Sequence, residues 1–187
     1  MENTINQDDF FDKGLDIIQR VRENRKETIK NEDLLSNALF RLSQSPDSEM
    51  WQKEKDLRDK TIKGLQEELS VLETELHYLK PEMDKDYFKI LLTQYGTVLA
   101  ETTNIYHVKQ SMYDEFELSK ALSQTSEAIK IKNHELEKAL EDGNEDLATI
   151  LNAEIRFFRS DMKNHHWGID RLETIDNEIV SKHKRGM

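Results

Sequence analysis

The stretch from Ile62 to Leu79, IKGLQEELSVLETELHYL, decides the fold class of this chain. Apolar residues recur in it at alternating spacings of three and four, which is the heptad pattern of helices that pack along a seam. The pattern covers less than three heptads, so it fits both a coiled-coil strand and an ordinary amphipathic helix of a bundle. The seam consists of Ile62, Leu65, Leu69, Leu72, Leu76 and Leu79.

Acidic residues line both edges of this seam. Glu68 and Glu75 fall at heptad position g, and Glu73 falls at position e. A parallel homodimer would set Glu68 of one chain against Glu73 of the other, and like charges there are unfavourable. We therefore expect the seam to pair with a different helix that has basic edges, and we favour a helix of a partner protein over one of the same chain.

Three breaks divide the sequence into helical segments. The first break is Ser43–Ser48, where Ser45 is the expected cap and Pro46 the first residue of the next helix. Lys80-Pro81 ends that helix, because proline disfavours helix in the residue before it. At the third break, Gly143 suits a left-handed C-cap and Asn144 an N-cap.

These breaks predict long helices. The segment before residue 45 has a polar middle, which indicates two helices or one weak helix. The next helix is expected from about Pro46 to Leu79, and a single helix from Met83 to Leu140 follows. The last segment starts after Asn144 and ends near Lys182.

The later segments also carry apolar seams. Phe88, Tyr95 and Phe116 belong to a wide stripe that suits packing among three or four helices, and the stripe resumes after Phe116 in a shifted frame. The short Gly143 turn lets the last two segments fold back as an antiparallel hairpin. We expect an all-α fold, an elongated antiparallel helical hairpin or coiled-coil bundle, with an N-terminal helical segment at 1–45 and a long-helix region at 46–187.

The composition of the chain argues against several classes of function. The net charge of −11 disfavours nucleic acid and anionic lipid as partners. The absence of cysteine excludes disulfides and thiol chemistry and suits a reducing compartment. No apolar run approaches the length of a membrane span, and the N-terminus lacks the features of a signal peptide. These features predict a cytoplasmic or nuclear location.

The sequence predicts no catalytic, cofactor or metal site. The nearest candidates for metal ligands are Asp161, His165, His166 and Asp170. The Glu-x-x-His pattern of di-iron bundles is absent, and so are glycine-rich phosphate loops and nucleophile elbows. We interpret these four residues as ordinary helix positions.

A basic cluster provides the alternative hypothesis. Arg20, Arg22, Arg25 and Lys26 lie within seven residues and can meet phosphate on a membrane surface or a nucleic acid. Glu23 and Glu27 interrupt the cluster, so local ion pairs are the favoured interpretation.

Three features give the layout of the chain a resemblance to known proteins. They are the seam Ile62–Leu79, the Lys80-Pro81 break and the long seam from Phe88. The layout resembles the small coiled-coil subunits of inner kinetochore complexes, such as the centromere protein H and K families. The resemblance covers about half of the chain, and no functional residue is transferred from it.

Together these patterns predict a non-enzymatic structural or adaptor subunit. We expect it to pair with another coiled-coil protein in a multi-subunit assembly, as in an inner-kinetochore or other chromosome- or cytoskeleton-associated complex. The predicted partner-binding residues are Ile62, Leu65, Leu69, Leu72, Leu76, Leu79, Phe88, Tyr95 and Phe116.

Overall fold

The computed structural model describes the backbone of residues 7–103 and 115–163, with side chains from 7–103 and 119–163. All regular structure in these ranges is helical, which confirms the all-α prediction. The chain divides into two compact units, Met1–Thr102 (unit 1) and Thr103–Met187 (unit 2). The predicted boundary at 45/46 falls inside unit 1, at the turn between two helices that pack together.

Unit 1 contains three α-helices and a short 3-10 turn. They are α1 (Gln7–Gln44), α2 (Glu49–Tyr78), the 3-10 turn Lys80–Glu82 and α3 (Lys85–Glu101). Unit 2 contains α4 (Glu115–Glu141) and α5, which is described over residues 145–163.

The turn between α1 and α2 lies where the sequence predicts it, but its cap differs. Ser48, not Ser45, is the N-cap of α2, and its hydroxyl accepts a hydrogen bond from the Trp51 amide. Pro46 therefore lies in the turn, before the helix. A serine suits the N-cap at either position, because its hydroxyl accepts a hydrogen bond from a backbone amide that has no acceptor within the helix.

Contacts along α1 show that α1 and α2 are antiparallel and that α3 runs parallel to α1. At its start, the Gln7 side chain bonds both the Glu82 carbonyl and the Asp84 amide. One turn later, Phe11 packs edge-on against Tyr87, with 5.5 Å between ring centroids. At the other end of α3, Arg22 contacts Glu101.

The core of unit 1 lies where these three helices run together. Val21 of α1, Leu72 of α2, and Leu91 and Val98 of α3 are almost completely buried. Gly14 brings α1 close to α3, because a Cβ atom there would collide with the Leu91 side chain. The close approach explains a glycine in the interior of a helix, where it otherwise costs stability.

One prediction about helix continuity is confirmed in one of its two alternatives, and another is wrong. The segment before residue 45, expected as two helices or one weak helix, is one unbroken helix, α1, because its polar middle is held by side-chain contacts to α2 and α3. The helix expected from Met83 to Leu140 instead ends at Glu101, with Thr102 as C-cap, and α4 begins at Glu115. The Thr102 hydroxyl bonds back to the Val98 carbonyl, and no glycine or proline marks this break.

Unit 2 contains the antiparallel hairpin predicted at the Gly143 turn. Gly143 has φ of 67°, the left-handed conformation that favours glycine, and the Asn144 side chain caps α5 by accepting from the Leu147 amide. Ala139, Ala148 and Leu151 form a small core beside this turn. Farther along, Lys132 of α4 contacts the buried Glu154 of α5 at 3.4 Å. The predicted end of the last helix near Lys182 lies outside the described residues.

Two glycines give a matched test of this packing. Gly64→Ala meets open space and should raise the free energy of unfolding by about 0.5–1 kcal/mol, because alanine favours helix. Gly14→Ala should instead lower it by about 1–2 kcal/mol, because the added methyl overpacks the buried Leu91. Urea unfolding followed by circular dichroism at low protein concentration measures both. Equal stabilisation by the two variants would contradict the α1–α3 packing.

Candidate helix-binding surface

Most of the predicted partner-binding residues lie in the interior of unit 1. Phe88 and Tyr95 of α3 are buried, as are the three C-terminal members of the α2 seam. The three N-terminal members are only half-buried. The side chain of Phe116 lies outside the described residues. The buried seam members are Leu72, Leu76 and Leu79, and the half-buried ones are Ile62, Leu65 and Leu69.

The acidic edges of the seam contact polar groups of the same chain. Glu68 accepts a hydrogen bond from the Asn24 side chain at 2.9 Å, and Glu75 pairs with Arg20 at 3.3 Å. On the other edge, the Tyr95 hydroxyl donates to Glu73. The helix that the seam requires is therefore present within the chain along its C-terminal half, where α1 and α3 supply the complementary groups.

The basic cluster of α1 is also engaged within unit 1. Arg20 and Arg22 form ion pairs with Glu75 of α2 and Glu101 of α3, at 3.3 and 3.2 Å. These carboxylates belong to other helices, whereas the sequence favoured local pairs with Glu23 and Glu27. A phosphate ligand would have to compete with both carboxylates. Lys26 is exposed.

Arg25 closes the C-terminus of α3. Its Nε donates to the Thr102 hydroxyl at 2.6 Å, and its Nη2 donates to the carbonyls of Leu99 and Thr102 at 3.3 and 3.5 Å. The last carbonyls of a helix have no partner within it and carry partial negative charge, which a guanidinium satisfies. Arg25 thus fixes where α3 stops along α1.

Beyond Arg25, α1 and α2 continue without α3. We call this part, residues 27–62, the hairpin end. Its α1 side buries only Ile29, Asn31 and Ala38, and α2 has no buried residue before Leu72. Five large apolar side chains of the hairpin end are only half-buried, namely Leu34, Leu35, Leu42, Trp51 and Ile62. Two packed helices bury less of each apolar stripe than three do.

Leu39 and Phe40 are the exposed apolar residues on the α1 side of the hairpin end. Their exposed fractions are 46% and 60%. Phe40 lies eighteen residues after Arg22, which is five turns at 3.6 residues per turn. Because Arg22 contacts α3, Phe40 lies on the line of α1 that α3 covers nearer the N-terminus. Among the described residues of unit 1, no third helix covers Leu39 and Phe40.

Polar contacts keep the two helices of the hairpin end together. Arg58 of α2 donates to the buried Asn31 of α1 at 3.1 Å and also pairs with Glu54 at 2.7 Å. On the outer surface of α2, Lys55 bonds Asp59 at 2.9 Å, and this hydrogen bond with the Asp59 charge raises the pKa of Lys55. The hairpin end thus holds its shape although its apolar side chains are incompletely covered.

Unit 2 has an open groove of about 510 Å³ between α4 and α5. Its lining combines three serines with Leu122, Met162, Glu127 and Lys130. Among the described residues, no histidine lines this groove beside the serines. Of the four residues considered as metal ligands, Asp161 is described, and His165, His166 and Asp170 lie outside the described residues.

Neither a metal cluster nor a membrane helix is found in the part of the chain that the structure describes. No group of three or more histidine, aspartate or glutamate side chains comes together there in a way that could hold a metal ion. No helix among the same residues is both long and apolar enough to cross a bilayer.

Comparisons with models of protein families, with curated proteins and with solved structures gave no match to this chain. The surface chemistry of the helices therefore carries the functional argument. Sequence reasoning placed partner binding on the α2 seam and missed Leu39 and Phe40. No sequence signal marks them, because they are left exposed by the end of α3, which only the folded structure shows.

Arg25 provides a test of the α3 cap. Arg25→Met keeps much of the side-chain stem but leaves the α3 carbonyls without their charged donor, so the free energy of unfolding should fall by about 2–3 kcal/mol. Lys26→Met, one residue along and exposed, should change it by less than about 0.5 kcal/mol. Urea unfolding of both variants measures the difference, and equal effects would show that Arg25 does not hold α3.

Proposed function

We propose that this chain is a non-enzymatic helical adaptor that binds a helix of another protein at its hairpin end. The bound helix continues the position of α3 beyond Arg25 and packs on Leu39 and Phe40. The chain thereby joins a multi-subunit assembly in the cytoplasm or nucleus, such as an inner-kinetochore or other chromosome- or cytoskeleton-associated complex.

The observation that carries the proposal is the incomplete core of the hairpin end. Over the 23 residues from Glu49 to Val71, α2 has no buried side chain, although it has apolar residues at heptad spacing. A third helix would remove Phe40, Leu39 and the half-buried side chains from water together. Burying apolar surface contributes roughly 25 cal/mol per Å², so a helix there gains substantial free energy.

The charges around this surface define the partner. Glu32 and Asp33 lie one heptad before Leu39 and Phe40 and therefore along the same side of α1. The whole chain has a net charge of −11, which attracts cationic surfaces and speeds their association. We therefore infer an amphipathic helix with an apolar stripe at spacings of three and four and with lysine or arginine beside it.

The alternative of a phosphate-binding module has less support. It depends on Arg20, Arg22 and Arg25, and each of these contacts acceptors of α2 or α3. Binding to a membrane or nucleic acid would have to break ion pairs that hold unit 1 together. No contact of the described residues favours that function over helix binding.

Site-specific photo-crosslinking of the full chain in its native cell tests the proposal. A photoreactive phenylalanine analogue replaces Phe40 in one variant and Glu27 in the control. Glu27 is exposed and lies about 120–140° around α1 from Leu39 and Phe40, so a helix packed on those two residues does not cover it. We expect crosslinks from position 40, and not from position 27, to one helical segment of another protein. Phe40→Glu should abolish that complex at unchanged stability, because Phe40 is exposed.

Three outcomes of the crosslinking would overturn the proposal. Identical crosslinks from positions 27 and 40 would indicate nonspecific proximity. Crosslinks from position 40 only to other residues of the same chain would mean that the chain covers this surface itself. Crosslinks only to a second copy would make the surface a self-association site.

A further inference from the structure

A second apolar surface runs along α2, on a side that neither α1 nor α3 covers. Its members recur at every seventh residue, and we call it the α2 stripe. Its four apolar side chains have exposed fractions from 51% to 75%. The stripe consists of Met50, Leu57, Gly64, Val71 and Tyr78.

The α2 stripe is distinct from the seam of the same helix. Each member lies one residue, or about 100°, before a residue of the side that faces α1, such as Leu65, Leu72 and Leu79. The stripe spans 29 residues from Met50 to Tyr78, and the distance between its ends is about 42 Å. A strict seven-residue period keeps a stripe in contact with a second helix that crosses it at a left-handed angle near 20°.

We propose that the α2 stripe is a homodimer interface, in which the α2 helices of two copies pack antiparallel around a twofold axis at Gly64. The stripe is symmetric in position about that residue, with two apolar side chains on either side at distances of 7 and 14 residues. A twofold axis places each surface against an identical one, so an interface must be self-complementary. Antiparallel pairing satisfies this by setting Leu57 against Val71 of the partner subunit.

Gly64 lets the two α2 helices approach each other closely at the centre of the proposed dimer interface. A Cβ atom at this position would meet no other atom within 4 Å, so packing inside unit 1 does not require a glycine. A glycine inside a helix costs about 0.5–1 kcal/mol relative to alanine. In the dimer, two glycines on the axis let the helix backbones approach closely, and the larger side chains on either side then come into contact. Met50 lies opposite Tyr78 of the partner subunit, a pairing of sulfur and aromatic ring that is favourable.

The charges beside the stripe fit the antiparallel arrangement. Lys60 and Glu67 are exposed, lie on one edge of the stripe and are nearly equidistant from Gly64. Antiparallel packing brings Lys60 against Glu67 of the partner subunit, and the symmetry repeats the pair. On the other edge, Glu54 and Glu75 are already paired with Arg58 and Arg20 of their own chain. Antiparallel helix dipoles add a further attraction.

The size of the surface sets the expected affinity. A single helix pair of this length falls at or below the low end of the roughly 1,200–2,000 Å² that specific interfaces bury. We therefore expect a dimer with a dissociation constant on the order of micromolar, and a monomer at nanomolar concentration. This proposal is independent of the partner helix at the hairpin end, because the two surfaces use different residues.

Single-cysteine crosslinking of the full chain tests the arrangement, since the natural chain has no cysteine. A disulfide requires Cα atoms about 4.4–6.8 Å apart, which the axis provides for Gly64→Cys. Gly64→Cys should form a crosslinked dimer under mild oxidation. Leu57→Cys, distant from its own copy in an antiparallel pair, and the exposed Gln66→Cys on another side of α2 should not. A mixture of Leu57→Cys and Val71→Cys should crosslink.

Sedimentation over a concentration series provides the second readout. Val71→Glu should weaken the dimer at least tenfold, whereas Gln66→Glu should leave it unchanged. Lys60→Glu should also weaken it, and the double variant Lys60→Glu/Glu67→Lys should restore it. Crosslinking of Leu57→Cys with itself would show parallel packing and overturn the proposal. A natural chain that stays monomeric at 0.5 mM (roughly 500-fold above a constant of about 1 μM) would overturn it as well.

Discussion

The structure of unit 1 depends on the hydrogen bonds between Arg25 and the C-terminus of α3. Arg25 donates to the carbonyls of Leu99 and Thr102 and to the Thr102 hydroxyl, and these bonds fix the last turn of α3 against the middle of α1. On one side of this point, three helices share a core. On the other side, α1 and α2 continue as two helices with half-buried apolar side chains. The division between a complete and an incomplete core follows from where one arginine ends one helix.

Polar contacts determine which helices pair, while the positions of the apolar residues determine how much apolar surface stays exposed to solvent. Asn24 with Glu68, Arg20 with Glu75 and Tyr95 with Glu73 match the edges of the α2 seam to α1 and α3. Each contact is specific, since a shift of α1 by one turn would separate the groups. The seam is thus occupied within the chain along its C-terminal half. The exposed apolar residues outside it, at the hairpin end and along the α2 stripe, are the surfaces from which we infer binding to other helices.

The sequence was sufficient for the parts of the fold that depend on local chemistry. The Ser43–Ser48 break, the end of α2 before Lys80-Pro81 and the Gly143 turn each follow from residues whose backbone preferences or capping groups act within a few positions. The end of α3 at Glu101 was missed because it depends on Arg25, some 75 residues away in the chain. No glycine or proline marks it, so only the folded structure shows the cap.

The candidate surfaces were predictable to different degrees. The heptad spacing of the α2 seam was correctly identified as a packing surface, but spacing alone does not say whether the second helix belongs to the same chain. The spacing of the α2 stripe is visible in the sequence, because its apolar residues recur at intervals of seven or fourteen. They are Met50, Leu57, Val71 and Tyr78. A single residue in every seven is a weaker pattern than the spacing of three and four in the seam, so the sequence alone does not identify it as a surface. The exposure of Leu39 and Phe40 is explained only by the length of α3, which ends before it reaches them.

Amide hydrogen exchange along α1 and α2 of the purified chain tests the central claim most directly, which is that the described helices of unit 1 leave the core of the hairpin end incomplete. Local opening free energies follow the burial around each amide, so they report the completeness of the core residue by residue. The account predicts strong protection for α1 up to Arg25 and for α2 from Leu65 onward, with clearly faster exchange over residues 27–44 and 49–62. Uniform protection along the whole length of both helices would contradict it, because the hairpin end would then need no further helix.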